Sequence, residues 1–214
     1  AMEPRRPYET TWEQWVLGGG PRAQFERPDA PLVVEIGPGE DDFLLDMARE
    51  RPETNWLGIE YSHKRIERYA RRAHAAGVGA GNLRLIWRPA SDLVDAFLSP
   101  AVVARYHVHF PDPWPKKHHA RYRLFAGPFA ASLARSLVVG GDVVLATDSP
   151  AYAAEIHAGF SGAPGMRSAH PDPGWIVLPA AGRATVFEER WRAMGRAIHY
   201  LRYVKDVEPS APAA

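Results

Sequence analysis

The sequence predicts an α/β fold built on a mostly parallel sheet with an antiparallel addition at one edge. Three observations predict it. Five short apolar runs alternate with segments of helical period, the pattern of βαβ units joined by right-handed crossovers. Two later apolar runs follow without full-length helices between them, which fits an antiparallel addition at an edge. Several runs end in an acid or in glycine and proline, at the strand ends where open α/β sheets bind ligands.

Taken in order, residues 1–30 hold four prolines, Gly18-Gly19-Gly20, Trp12 and Trp15. They read as an N-terminal arm, free to flex, without regular sheet structure, whose tryptophans dock on the body. Residues 31–205 read as one catalytic domain, and 206–214 as a disordered tail. Leu32–Ile36 is a β-branched run ending in Gly37-Pro38-Gly39. Phe43, Leu44, Met47 and Ala48 then share a helical face, and Glu40, Asp41 and Asp42 sit where the helix dipole favours carboxylates. A second strand, Asn55–Glu60, ends in an acid, and Ser62 is placed to cap a basic helix running to about Ala76. The third strand is Leu83–Trp87, followed by a short helix over 91–98. The fourth is the aromatic run Tyr106–Phe110, stopped by Pro111-Asp112-Pro113-Trp114. A helix over 124–137 ends at Gly140-Gly141, and a fifth strand, Asp142–Thr147, ends at Asp148. A helix over 151–160 and a Pro/Gly-rich loop over 162–174 precede the last two strands, 175–178 and 198–204.

There are no cysteines, which excludes disulfides, thiolate metal sites and cysteine nucleophiles and is compatible with a cytoplasmic protein. No apolar run is long enough to span a membrane, and no signal peptide is expected. Net charge is +1, so affinity for nucleic acid must come from distribution. Basic residues do cluster, first from His63 to His74 and then from Lys116 to Arg123. Two such clusters on a nearly neutral chain can form a face that attracts phosphates. The competing reading of the first is a solvated helix face paired with Glu60 and Glu67. No metal is expected. His107 and His109 share one face of a strand, but the adjacent His118 and His119 should diverge.

The two flanking prolines stiffen the loop that carries Asp112 and Trp114. A carboxylate, a flat aromatic and Lys116 on one rigid loop suit a planar, hydrogen-bonding ligand such as a nucleobase. Gly37 and Gly39 let a ligand approach backbone, and Glu60, about twenty residues on, is placed to accept from ribose hydroxyls. That spacing alone serves NAD and S-adenosylmethionine equally. A pyrophosphate at Glu40-Asp41-Asp42 would meet three negative charges, whereas S-adenosylmethionine brings cations and no phosphate. Electrostatics therefore favours S-adenosylmethionine.

From about Leu32 to Tyr203 the chain resembles the bacterial tRNA (guanine-N7)-methyltransferases. The resemblance rests on Glu35-Ile36-Gly37-Pro38-Gly39, Leu57-Gly58-Ile59-Glu60, Asn82-Leu83-Arg84-Leu85 and Phe110-Pro111-Asp112-Pro113-Trp114 with Lys116. It continues through Ala146-Thr147-Asp148 and Thr185-Val186-Phe187-Glu188. It implies a Rossmann-like class I methyltransferase fold with a mostly parallel seven-stranded sheet and an antiparallel edge strand. The implied activity is methyl transfer from S-adenosylmethionine to N7 of a guanosine in the tRNA variable loop, by a cytoplasmic monomer or weak homodimer. Glu35, Gly37, Gly39, Glu60, Ala90 and Asp92 would hold the cofactor. Asp112, as the catalytic residue, would grip guanosine together with Trp114, Lys116, Asp148, Thr185, Phe187 and Glu188. Lys64, Arg65, Lys117, His119 and Arg121 would meet tRNA phosphates.

Three positions depart from the family pattern. Asp41 replaces a glycine and would lie against the cofactor's methionine end. Pro89 stands where an acid meets adenine, so Asp92 is the expected substitute. Val186 replaces a lysine of the substrate segment. Two alternative readings follow: a methyltransferase for another nucleobase or small molecule, and a tRNA-binding relative without activity.

Overall fold

The computed structural model describes residues 8–79, 81–98, 100–114, 117–177 and 185–206. The chain divides into two compact units, residues 1–98 and 99–214.

In the first unit, β1 (Glu9–Thr10) leads into helix α1 (Trp12–Leu17), then β2 (Leu32–Ile36), α2 (Phe43–Glu50), β3 (Asn55–Glu60), α3 (His63–Ala75), β4 (Leu83–Trp87) and α4 (Ala90–Phe97). The strands lie in the order β1-β4-β3-β2 with every pairing parallel. β2 and β3 are buried along their whole length, as strands covered on both faces must be. That is why they read as near-continuous rather than alternating apolar runs. Gly58 interrupts β3 for a packing reason: a Cβ there would stand 2.8 Å from the side chains of both Leu44 and Leu85. The amphipathic helices press Leu44, Leu45 and Ala48 of α2 and Ile66, Tyr69, Ala70 and Ala73 of α3 into the same core.

The arm is more ordered than the sequence suggests. β1 pairs in parallel with β4, Glu9 opposite Leu85, so the expectation of no sheet structure before residue 31 is overturned. Tyr8 and Trp15 are buried, and Trp15 Nε1 donates to Thr10 Oγ1 at 3.1 Å. Thr11 closes a capping box with Gln14 at the start of α1.

In the second unit, β5 (Val103–His109), α5 (Phe129–Ser136), β6 (Leu137–Thr147), α6 (Pro150–Ser161), β7 (Met166–Ser168), α7 (Val186–Ala193) and β8 (His199–Lys205) follow in turn. The order is β5-β6-β8-β7, with β5–β6 parallel and β8 antiparallel to both of its neighbours. Short β7 thus lies outside the antiparallel strand, making eight strands among the described residues. Gly140-Gly141 does not end a helix as expected. It lies inside β6 where the register against β5 shifts between Val103 and Arg105, and Gly140 has φ +81°. This is a bulge, which glycine permits. The 175–178 run is not a strand over its described part; only Ile176 bridges, to Tyr200. Asp142 ties three strands together by accepting from Arg105 on β5 and Arg202 on β8.

Candidate active site

The first unit builds its candidate site at the carboxyl ends of β2 and β3. Gly37 and Gly39 both have positive φ, +71° and +59°, which only glycine adopts without strain. A Cβ on Gly37 would meet nothing within 4 Å, so the loop backbone is open to a ligand. Glu60 is buried and accepts from Gly39 N at 3.3 Å and from Ser62 N at 3.0 Å. One carboxylate therefore shapes both the glycine loop and the start of α3. Ser62 occupies the N-cap position as expected, but its hydroxyl makes no capping bond. Glu35 is also buried. Burial first, and then the charge of Glu35, push the Tyr69 phenol well up, so it stays protonated. Its oxygen accepts from Leu45 N at 3.1 Å.

The three acids at the start of α2 are engaged within the chain. Asp41 Oδ1 accepts from Phe43 N at 2.7 Å, a local turn at the helix start. Glu40 pairs with Arg68 at 2.7 Å and Asp42 with Arg72 at 2.9 Å. Asp41 thus has a structural use that the sequence reading did not foresee. Arg65 reaches Glu60 at 3.6 Å and His63 lies 3.7 Å from Glu67, which are the acids named for the solvated-face reading of α3. Lys64 is exposed.

Ala90 is the buried first residue of α4. Asp92 is exposed in its first turn and accepts from Ser91 Oγ at 3.1 Å. A cavity of about 510 Å³ opens nearby, lined by Tyr61, His63, Trp87, Arg88 and Pro89 among others. Trp87 Nε1 donates to the Tyr61 backbone carbonyl at 2.9 Å, which fixes the exposed indole against the turn after β3. An open glycine loop with a buried carboxylate beside it suits an adenosine compound.

The second unit holds the other candidates. β5 ends at His109, and Phe110 turns the chain with φ +48°. Phe110 N still donates to Ala146 O at 2.8 Å, anchoring the loop to β6. Trp114 also has positive φ, +39°. For residues with a Cβ such conformations are strained and persist only when the surroundings enforce them. Here Arg123 enforces it. Its guanidinium donates to Pro113 O at 2.7 Å and Trp114 O at 3.2 Å and pairs with Glu155 on α6. The sequence placed Arg123 in a phosphate-seeking cluster; it is a loop clamp.

Asp112 is held out on this loop, exposed, with no hydrogen bond to any described residue. Trp114 is 37% exposed and packs edge-on against His119, ring centroids 5.5 Å apart, and against Tyr122 at 5.8 Å. Arg121 lies over the Tyr122 ring and donates to its hydroxyl at 2.8 Å. His118 and His119 do not diverge: in the tight turn Lys117–Tyr122 their rings approach to 4.0 Å. Lys116 and the Lys117 side chain lie outside the described residues. Among the described residues no group of three or more His, Asp or Glu is placed to hold a metal ion. Burial first, then His109 and Arg105, push His107 well below the ordinary imidazole range.

Asp148, at the end of β6, is paired with Arg196. Thr185 is an N-cap: its hydroxyl accepts from Glu188 N at 3.1 Å and starts α7. Phe187 is partly exposed, with its ring 6.3 Å from that of Phe110. Glu188 is buried and already engaged. Tyr200 donates to its Oε1 at 2.6 Å, and Arg192 pairs with the same oxygen. Ala146, Ile198 and Tyr200 form a small core against which Phe110, Ile176 and Trp191 pack. The foot of the Asp112 loop, the end of β6 and helix α7 therefore meet around one apolar cluster. The sequence reading gives Arg123 a different role and misses Trp191, Arg192, Arg196 and Tyr200. Only Glu188 and Arg192 carried a local signal, their i,i+4 spacing.

This fold, with its glycine loop and strand-end acids, is that of a methyltransferase. Residues 29–201 match a family described as "Putative methyltransferase". The solved structure of the 16S rRNA methyltransferase KamB superposes with TM-score 0.60 at 17% identity, covering 87% of this chain and 91% of that one. The antibiotic-resistance methyltransferase Kmr gives 0.57 at 18%, covering 84% and 88%. More narrowly, the chain belongs to the tRNA (guanine-N7)-methyltransferase family. It is 34% identical to the tRNA (guanine-N(7)-)-methyltransferase of Chlamydia felis, over 85% of this chain and 79% of that protein. The protein of the same name from Bordetella pertussis is 32% identical over 93% of this chain and 78% of its own length.

Proposed function

We propose that this chain transfers a methyl group from S-adenosylmethionine to N7 of a guanosine in tRNA, in the cytoplasm. Family membership supports the reaction class. The observation that carries the assignment of roles is Asp112, an exposed carboxylate held without a partner among the described residues, on a loop clamped by Arg123.

Glu35, the Gly37–Gly39 loop and Glu60 would hold S-adenosylmethionine, which when bound would supply an electrophilic methyl group on a sulfonium sulfur. Guanine N7 keeps a free lone pair at neutral pH. As the N7–carbon bond forms, the carbon–sulfur bond breaks, and no proton moves. The chain's task is alignment, which is proximity catalysis. Guanine offers N1–H and N2–H₂ on its Watson–Crick edge, and Asp112 and Asp148 are acceptors for them. Their negative charge also favours the cationic 7-methylguanine that forms. Trp114 presents a ring face for stacking, and the target base must leave its own stack to reach these groups. Arg121, with Lys117 and Lys64, supplies charge toward phosphates, and His119 a hydrogen-bonding ring.

Mass spectrometry of nucleosides tests the reading after tRNA is incubated with protein and S-adenosylmethionine. New 7-methylguanosine is expected, and Asp112→Ala should lower its rate roughly 10²-fold. Label entering only small molecules, or no nucleoside at all, would overturn it.

A further inference from the structure

We propose that Arg196 is a specificity-determining residue that, together with Asp148, reads the O6 and N1–H edge of guanine. This rests on the reading above, in which Asp148 faces the methyl acceptor.

Arg196 is fixed from three directions. Helix α7 ends in a left-handed glycine, Gly195 with φ +70°, and Arg196 N donates back to Trp191 O at 3.0 Å. That is the outer hydrogen bond of a Schellman stop, and it sets the Arg196 backbone. Its guanidinium then folds back over the Trp191 ring, 4.0 Å from the centroid, a cation–π contact that holds the plane of the fork. Trp191 in turn packs against the cluster of Ala146, Ile198 and Tyr200. Finally, one terminal nitrogen, Nη1, reaches Oδ2 of Asp148 at the end of β6.

This arrangement differs from a plain surface ion pair. The Arg196 side chain is 49% exposed and Asp148 only 16%. The guanidinium has five N–H donors, and among the described residues only the one toward Asp148 is taken up. The pair therefore presents a donor, from Arg196, beside an acceptor, the Oδ1 of Asp148, which no described residue occupies. Guanine shows the complement in the same order, O6 as acceptor and N1–H as donor. Adenine shows the reverse, a donor at N6 and an acceptor at N1. Asp112 is then left to take N2–H₂. Glu188 does not compete for this role, because its Oε1 is held by Tyr200 and Arg192.

The test pairs a residue with an atom of the substrate. Once the methylated position is mapped, tRNA is prepared with 2-aminopurine there, which keeps N7 and the 2-amino group but lacks O6 and N1–H. The kcat/KM for methyl transfer is measured for wild type, Arg196→Ala and Arg196→Lys on both substrates. With guanine, Arg196→Ala should lose roughly 10²-fold and Arg196→Lys roughly 10-fold, since lysine keeps the charge without the planar fork. With 2-aminopurine, where wild type is already slow, Arg196→Ala should cost less than about 3-fold more. Equal losses on both substrates would make Arg196 a structural residue and overturn the proposal. Wild type that methylates no tRNA would instead defeat the functional reading, and the proposal with it. Thermal melting and S-adenosylmethionine titration of Arg196→Lys guard against misfolding, because this variant retains the cation.

Discussion

Helix α3 and the turn after the Asp112 loop carry similar basic clusters, and the fold uses them differently. On α3, Arg65, Arg68 and Arg72 lie on one face and each reaches a carboxylate: Glu60, Glu40 and Asp42. Those acids surround the glycine loop, so α3 acts as a counter-charge to Glu60 at the end of β3 and to Glu40 and Asp42 at the start of α2. Among the described residues of the 117–123 turn only Arg123 meets a carboxylate, Glu155. Arg121 lies instead over the Tyr122 ring, and His119 packs edge-on to Trp114. A cation over an aromatic ring keeps its charge uncompensated, beside a flat surface on which a base can stack. Equal charge density in the sequence therefore separates into neutralised scaffold on one side and available binding surface on the other.

The largest way to break this contrast is through Arg123, which shares the second cluster's sequence but behaves like α3. If it is a clamp, Arg123→Ala should free Pro113 and Trp114, misplace Asp112 and lower kcat roughly 10²-fold. Affinity for tRNA should change little. A selective loss of tRNA binding with kcat intact would return Arg123 to the phosphate contacts. On the first side, Glu60→Gln puts an N–H donor where two backbone N–H groups need acceptors. S-adenosylmethionine affinity, measured by calorimetry, should fall about 10-fold. An unchanged affinity would mean that the glycine loop does not depend on this carboxylate.

The sequence showed the parts of this design that are local or periodic. β2 and β3 were legible because strands buried on both faces leave near-continuous apolar runs ended by glycine or an acid. β1 and β7 were not, because two or three residues carry no period. Helix α7 was readable in principle: Thr185 and Glu188 have the spacing of a capping box, but the segment was taken as a substrate motif alone. Gly140-Gly141 looked like a helix stop because a bulge and a C-cap use the same residue for the same reason, positive φ. Asp112, Asp148 and Glu60 could be picked out as strand-end acids. Their partners could not, since Arg196 pairs with Asp148 across 48 residues and Arg123 with Glu155 across 32. Such pairings exist only once the sheet and α7 are in place. The same holds for Asp41, whose hydrogen bond to Phe43 N turns an apparent obstacle to the cofactor into part of the start of α2.

The smallest expected effect sharpens the comparison most directly, because it sets one arginine from each cluster side by side. Arg121→Ala and Arg68→Ala remove the same charge. If the aromatic-backed cluster meets phosphates, Arg121→Ala should weaken tRNA binding several-fold at low salt. It should also reduce the slope of log K against log salt by about 1. Arg68→Ala should leave that slope unchanged, because its charge is spent on Glu40. Its cost should appear in stability instead, and stay within about 1 kcal/mol, as for an exposed pair. Matching salt slopes for the two variants would show that α3 also contacts RNA and that its acids do not cancel its field.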